Sequence, residues 1–151
     1  MAIGTFAYPA SFVPASRFAK GESGYVVTFR DLPEAITQGE DLADAMAMAA
    51  DCLAVAIAGR LADAEPIPPP SRRARGERLI GLPAQLAAKA ALYVAMRQAR
   101  ITPSQLARRL RIADAEVARL LHPQRYAKLA LIESALASLG KRLEFQLVDA
   151  A

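Results

Sequence analysis

The sequence predicts an α+β chain in which a small sheet crossed by one helix is followed by a helical domain. Segments rich in β-branched and aromatic residues dominate the first 40 positions, whereas helical periodicity dominates after residue 83. The charge divides as well: residues 1–71 carry four basic side chains against nine acidic ones, a net charge of −5. Residues 72–151 carry fifteen basic against six acidic, a net charge of +9. We therefore predict two small domains, 1–82 and 83–151.

The first domain is predicted to have the order β-β-β-α-β. Residues 6–13 form the first strand, in which Pro9 favours an edge or a bulge. Residues 25–30 (Tyr-Val-Val-Thr-Phe-Arg) form the clearest strand, because β-branched and aromatic side chains suit a pleated surface. After a break at residues 31–34, residues 35–39 form a short third strand.

One long helix is predicted to follow these strands. Asp41 can cap it, and it runs to about Ala58, with Gly59 expected to end it. Its buried stripe, at helical spacing, consists of Leu42, Met46, Ala49, Leu53 and Ile57. The proline-rich segment 66–71 is predicted to be extended and to lead into a last strand at 78–82.

The composition argues against several classes of protein. Apolar residues make up 54% of the chain, which is enough for packed cores. We expect no membrane span, because no apolar run approaches about 18–20 residues, and no signal peptide, because the first residues lack a basic region followed by a long apolar one. Cys52 is the one cysteine, so we expect no internal disulfide, a small core residue and a cytoplasmic protein.

The second domain contains a helix-turn-helix pattern at residues 104–121. A helix from Pro83 to about Arg100 precedes it, and Thr102 is expected to cap the next helix with Pro103 as its first residue. The inward-facing residues of the pattern are Leu106, Ala107, Leu110, Ile112, Val117, Leu120 and Leu121. Such motifs place the N-terminal part of their second helix in the major groove of DNA.

The outer face of this motif supplies candidate DNA contacts. Arg119 can contact guanine or phosphate, and Glu116 can accept from cytosine or orient an arginine. Arg109, Arg111 and Lys128 are expected to contact phosphates, as are two of the candidates, Arg108 and Arg125. The candidate DNA-binding residues are Ser104, Gln105, Arg108, Asp114, Ala115, Glu116, Arg119 and Arg125.

Two positions depart from the usual helix-turn-helix pattern. Arg111 occupies the place where glycine is common, and positive φ is disfavoured for other residues, so we expect another turn conformation. Ala113 replaces the usual hydroxyl cap. Asp114 could cap instead, which would shift the start of the second helix by one residue.

The end of the chain predicts a helix and a strand. Residues 126–139 form the helix, and Gly140 ends it. Leu143, Phe145 and Leu147 alternate with polar residues, which is the pattern of a half-buried strand. A lone strand cannot satisfy its backbone, so the simplest partner is its copy in a second chain. We therefore predict a homodimer through these three residues, with higher homo-oligomers left open.

The first domain resembles the HicB-type antitoxins. The resemblance lies in residues 24–29, then 31–33 and 36–39, an acidic helix, and segment 65–71, in this order and spacing. It implies an N-terminal domain like a degraded ribonuclease H fold that binds a small basic toxin, HicA, which cleaves mRNA. It also implies operator binding by the C-terminal domain, and hence repression of the chain's own operon.

The resemblance and the negative charge together suggest toxin contacts. The candidate toxin-binding residues are Tyr25, Phe29, Asp31, Asp41, Asp44 and Asp51. The acidic ones also fit an ordinary solvated helix face. Two further functions stay open: a ligand-sensing transcriptional regulator without a toxin, and a surviving metal-dependent nuclease. Ribonuclease H chemistry needs carboxylates that converge on metal ions, and the first two strands contain none, so we expect no catalytic, metal or cofactor site.

Overall fold

A four-stranded antiparallel sheet and one helix form the N-terminal part of the computed structural model, which describes residues 4–150. The strands are β1 (Ala7–Pro14), β2 (Tyr25–Phe29), β3 (Leu32–Gly39) and β4 (Glu77–Gly81), arranged in the sheet as β3-β2-β1-β4. Helix α1 (Leu42–Ala62) lies between β3 and β4 in the chain. The α+β class and the order β-β-β-α-β are confirmed.

The connection between β2 and β3 is tighter than predicted. Leu32 pairs with Phe29, so only Arg30 and Asp31 form the turn, and a register shift next to Phe29 accommodates it. The break predicted at residues 31–34 is therefore wrong. Pro33 is tolerated because β3 is an edge strand, where a missing N–H need not interrupt a ladder.

Helix α1 begins as predicted but ends later. The Oδ1 atom of Asp41 accepts a hydrogen bond from the N–H of Asp44 at 2.8 Å, which confirms the cap. The helix continues through Gly59 to Ala62, so the predicted end is wrong. Glycine inside a helix costs only about 1 kcal/mol, and the burial of Leu61, two residues later, offsets that cost.

The buried stripe of α1 runs at four-residue spacing. Between Leu42 and Ile57, its fully buried members are Ala45, Ala49, Leu53 and Ile57. Leu42 and Met46, which were predicted to belong to the stripe, are only half-buried. α1 is also long and apolar enough, by length and composition alone, to cross a membrane. The expectation that no apolar segment reaches that length is therefore wrong. In this structure these four residues are fully buried in the unit that contains the sheet.

Four helices make up the C-terminal part: α2 (Ala84–Ala99), α3 (Pro103–Leu110), α4 (Asp114–Leu121) and α5 (Leu129–Ser138). The chain divides into two compact units. Of the described residues, the first unit contains 4–57 and 68–82, and the second contains Ala58–Ile67 and 83–150. Within the second unit, the hydroxyl of Tyr93 donates to the carbonyl of Glu65 at 2.7 Å. The end of α1 thus groups with the helices, not with the sheet.

The last ten described residues contain no regular element. Residues 141–150 form neither helix nor strand in the single chain, and α5 begins three residues later than predicted. Leu143 packs against the core of the second unit, whereas Phe145 and Leu147 are 66% and 100% exposed. A strand exists only with a pairing partner, so the proposed pairing between two chains stays a prediction.

Candidate functional site

The helix-turn-helix begins with a complete capping box. The Oγ1 atom of Thr102 accepts from the N–H of Gln105 at 3.2 Å, and the Oε1 atom of Gln105 accepts from the N–H of Thr102 at 2.9 Å. The predicted cap is confirmed. These reciprocal bonds satisfy N–H groups that the first turn of α3 would otherwise leave without partners.

Close packing of α3 against its neighbours follows the predicted pattern. Leu106, Ala107, Val117 and Leu120 are buried in one core, and Leu110, Ile112 and Leu121 pack partly buried against it. Ala107 is almost fully buried, which fits a position where only a small side chain allows two helices to approach. The core therefore fixes α3 and α4 as one rigid motif.

The turn between the two helices adopts the conformation that the sequence disfavoured. Arg111 has φ 55° and ψ 45°, the left-handed region, so the expectation of another conformation is wrong. The N–H of Ile112 donates to the carbonyl of Ala107 at 3.1 Å, and the side chain of Ile112 packs against the core. This packing holds a non-glycine residue where it costs about 1–2 kcal/mol.

Helix α4 starts without a side-chain cap. Ala113 is the N-terminal flanking residue and Asp114 is the first helical residue, so Asp114 does not cap the helix. Its Oδ2 atom instead accepts from the Oγ of Ser104 at 3.2 Å. That bond joins the start of α3 to the start of α4, and the carboxylate also interacts favourably with the N-terminal dipole of α4.

All eight candidate DNA-binding residues lie on the surface. Asp114, Ala115, Glu116 and Arg119 project from α4, whose buried side carries Val117 and Leu120. Arg109, which was expected to contact phosphate, makes a bond within the protein: its Nη1 donates to the carbonyl of Ser138 at 3.0 Å.

A lysine that the sequence analysis did not single out supports this surface. Lys89 of α2 is fully buried, and its Nζ lies 3.1, 2.6 and 2.5 Å from the carbonyl oxygens of Arg119, His122 and Arg125. Burial lowers the pKa of its ammonium group. The available signal was a single charged residue inside the apolar run from Leu86 to Met96.

A second side chain of α2 contacts the same region. Gln85 lies one turn before Lys89, and its Oε1 atom accepts from the N–H of Ala127 at 2.8 Å. Both ends of the segment after α4 are therefore bonded to α2.

The acidic candidates on α1 divide into structural and exposed groups. Asp41 and Asp44 both bond the backbone at the start of the helix, since Asp41 accepts from the N–H of Asp44 and the Oδ2 of Asp44 accepts from the N–H of Glu40 at 2.9 Å. Asp51 lies on the exposed side of α1. Asp51 is thus the acidic candidate on this helix that caps nothing.

The candidates on and beside β2 contribute mainly to the fold. Phe29 is buried in the core and Tyr25 is half-buried at the start of β2. The carboxylate of Asp31 accepts from both the N–H and the hydroxyl of Ser71, which fixes the end of the proline-rich segment. The hydroxyl of Tyr8 donates to the carbonyl of Pro68 at 2.7 Å and anchors the same segment.

The described residues offer few groups for metal binding or nucleophilic chemistry. Among residues 4–150, no three histidine, cysteine, aspartate or glutamate side chains come together as a metal-binding group. Cys52 is half-buried on α1, and burial raises the pKa of its thiol.

Comparison with known proteins gives the family. The protein-family model described as "HicB_like antitoxin of bacterial toxin-antitoxin system" matches residues 7–91, more than half of the chain. The chain belongs to the HicB-like antitoxin family. It is similar to Antitoxin HicB of Escherichia coli (strain K12), with 38% identity over 141 residues that cover 93% of this chain and 99% of the relative. It is also 38% identical over 128 residues to Antitoxin HicB 2 of Photorhabdus laumondii, covering 85% and 91% of the two chains.

Membership in the HicB-like antitoxins confirms the resemblance noted from the sequence. It places the chain in a toxin–antitoxin system, and a toxin is therefore implied as its partner.

Proposed function

We propose that this HicB-like antitoxin neutralises a small basic HicA-like toxin that cleaves mRNA, and that it represses its own operon by binding operator DNA as a dimer. Both activities belong in the bacterial cytoplasm, where mRNA and operator DNA are found. The observation that carries the DNA-binding part is the exposed face of α4 on a strongly basic unit. Residues 83–150 contain eleven basic side chains against five acidic ones, a net charge of +6.

The DNA-binding proposal follows from how α4 is exposed. Arg119 lies outside the core, where its guanidinium can contact a base edge or a phosphate. Arg108, Arg111 and Arg125 are exposed on or beside the same motif and can neutralise phosphates. Phosphate contacts orient the protein on the duplex, and base contacts by Arg119 and Glu116 then select the sequence.

The dimer proposal rests on the C-terminal segment. Phe145 and Leu147 expose large apolar surfaces in the single chain, and they alternate with polar residues as a strand would. Pairing of this segment with its copy would bury these side chains and bond the backbone. Two linked recognition helices could then contact half-sites about 34–36 Å apart.

The toxin-binding proposal is supported by the outer face of α1. Asp44, Met48, Asp51 and Val55 follow one another at intervals of four, three and four residues, so they share one side of the helix. Met48 and Val55 are 40% and 72% exposed. Apolar side chains framed by carboxylates suit a cationic protein, because apolar burial gives affinity and complementary charge speeds encounter.

The DNA-binding part is tested by titrating the full chain against duplex DNA from upstream of its own gene. Arg119→Ala should weaken binding by about 1–3 kcal/mol, roughly 5- to 150-fold. Arg17→Ala is the matched control, because it removes the same charge from an exposed position in the other unit. Equal affinity of the Arg119 variant and the parent would mean that α4 does not read DNA.

The toxin-binding part is tested by co-expression with the product of the adjacent gene. We expect the full chain to co-purify with a very small basic protein and to restore growth in cells that produce it. DNA binding without such a partner would favour a ligand-sensing regulator. Magnesium-dependent RNA cleavage by the purified chain would favour a nuclease.

A further inference from the structure

The segment between α4 and α5 is held by a buried cation. Charged side chains are seldom fully buried, because the loss of hydration must be offset by partners. Lys89 satisfies this condition with three carbonyl oxygens at 3.1, 2.6 and 2.5 Å. The acceptors come from α4 and from the loop that follows it, not from the helix that carries the lysine.

One of these carbonyls, that of Arg119, belongs to the last turn of α4, where it also accepts from the N–H of His122 at 3.2 Å. The last four carbonyls of a helix lack helical donors and form the negative end of its dipole, so a cation is favourable there. His122 and Arg125 belong to the next turn, where the N–H of Arg125 donates to the carbonyl of His122 at 3.3 Å. One ammonium group therefore joins the recognition helix to the loop, residues 122–128.

The loop exposes side chains suited to nucleic acid. Gln124, Arg125 and Lys128 are exposed, and Tyr126 is 75% exposed. Amide, guanidinium, hydroxyl and ammonium groups are the usual donors to phosphate and sugar oxygens. Gln85 fixes the other end of the loop through the N–H of Ala127.

We propose that Lys89 is a positioning residue of the DNA-binding surface, which holds the end of α4 and the loop 122–128 together so that Arg119, Arg125 and Tyr126 contact DNA as one set. The proposal rests on the DNA-binding function proposed above. It adds Tyr126 as a contact, and it makes a residue that never touches DNA a determinant of affinity.

A purely structural lysine would behave differently. Methionine has similar length and is apolar, so Lys89→Met keeps the side-chain packing and removes only the ammonium group and its three hydrogen bonds. If Lys89 only stabilised the core, Lys89→Met would change the melting temperature and leave the affinity of the folded protein unchanged. If Lys89 positions the loop, the folded variant loses DNA contacts.

The experiment measures DNA affinity at several salt concentrations, with the full chain well below its melting temperature. The probes are the duplex from upstream of its own gene and a scrambled duplex of equal length. Lys89→Met should weaken binding to the first duplex by about tenfold or more, as expected for a lost contact. The slope of log affinity against log salt should fall by about 0.9 for each lost phosphate contact. Hydrogen exchange at the Ala127 amide should accelerate.

Two further variants make the outcome decisive. Leu136→Ala lowers the stability of the same core from α5 without removing the hydrogen bonds of Lys89 or Gln85, so it should keep parental affinity while folded. Tyr126→Ala, at an exposed position, should weaken binding and leave the melting temperature unchanged. Parental affinity and slope for Lys89→Met, or an equal loss of affinity in Leu136→Ala, would overturn the proposal.

A folding failure of Lys89→Met leaves a second test. Gln85→Leu removes the other anchor of the loop without touching the buried charge, and it should weaken binding in the same direction. Unchanged binding by that variant would then overturn the proposal. If the parent itself binds neither duplex, both the DNA-binding function and this inference fail. If the parent binds DNA and the variants bind equally well, only this inference fails.

Discussion

The turn of the helix-turn-helix motif offers a test by a single substitution, Arg111→Gly. Arg111 has φ 55°, which costs a side chain with a Cβ atom about 1–2 kcal/mol and costs glycine nothing. Glycine loses about 0.5–1 kcal/mol more backbone entropy on folding, so the net gain in stability should be about 0.5–1 kcal/mol. For a unit of this size, that corresponds to a rise of about 2–8 °C in melting temperature.

The matched control is Arg108→Gly, three residues earlier in α3. It deletes the same side chain and the same charge from an exposed position, but at a helical backbone conformation. Glycine there should destabilise the unit by about 0.7 kcal/mol. Thermal unfolding of the two variants by calorimetry should therefore move in opposite directions, about 1.5 kcal/mol apart. If both variants melt below the parent by similar amounts, Arg111 is not in the left-handed region and the reasoning fails.

Three further outcomes follow from the surfaces described above. Ala113→Ser should stabilise α4 by about 1 kcal/mol in denaturant unfolding, because it supplies the missing N-terminal cap, and no gain would mean that the helix starts elsewhere. Asp51→Lys, on the outer face of α1, should slow association with the toxin, most strongly at low salt, whereas Asp63→Lys, just beyond the end of α1, should not. Equal slowing by the two variants would indicate that only long-range charge affects the association. Phe145→Ser combined with Leu147→Ser should give a folded monomer in sedimentation, and a variant that stays dimeric would place the interface elsewhere.

Features determined by local chemistry could be predicted from the sequence. The capping box of Thr102 and Gln105 depends on residues three apart, and the chain order β-β-β-α-β depends on the local composition and periodicity of each element. The inward positions of the helix-turn-helix were also correct, because apolar spacing determines which face of a helix is buried.

Features determined by packing between distant residues could not be predicted from the sequence. α1 continues past Gly59 to Leu61, which extends the four-residue spacing of the stripe but is buried within the second unit, among residues distant in the sequence. The left-handed turn at Arg111 is held by the contacts of Ile112, and these override the intrinsic preference of the backbone. Lys89 was missed because a charged residue predicts exposure, and only the surrounding carbonyls show that burial is satisfied.

The division of the chain inside α1 has a consequence for building chimeric antitoxins. An exchange of DNA-binding modules at the proline-rich segment, which looks like a linker in the sequence, would separate Ala58–Ile67 from the helices with which they form one unit. Tyr93 and Arg97 would then lose the carbonyls of Glu65 and Ala64 that they bond. A graft that carries Ala58–Ile67 with its own α2 keeps those bonds, so the productive crossover point lies within a helix.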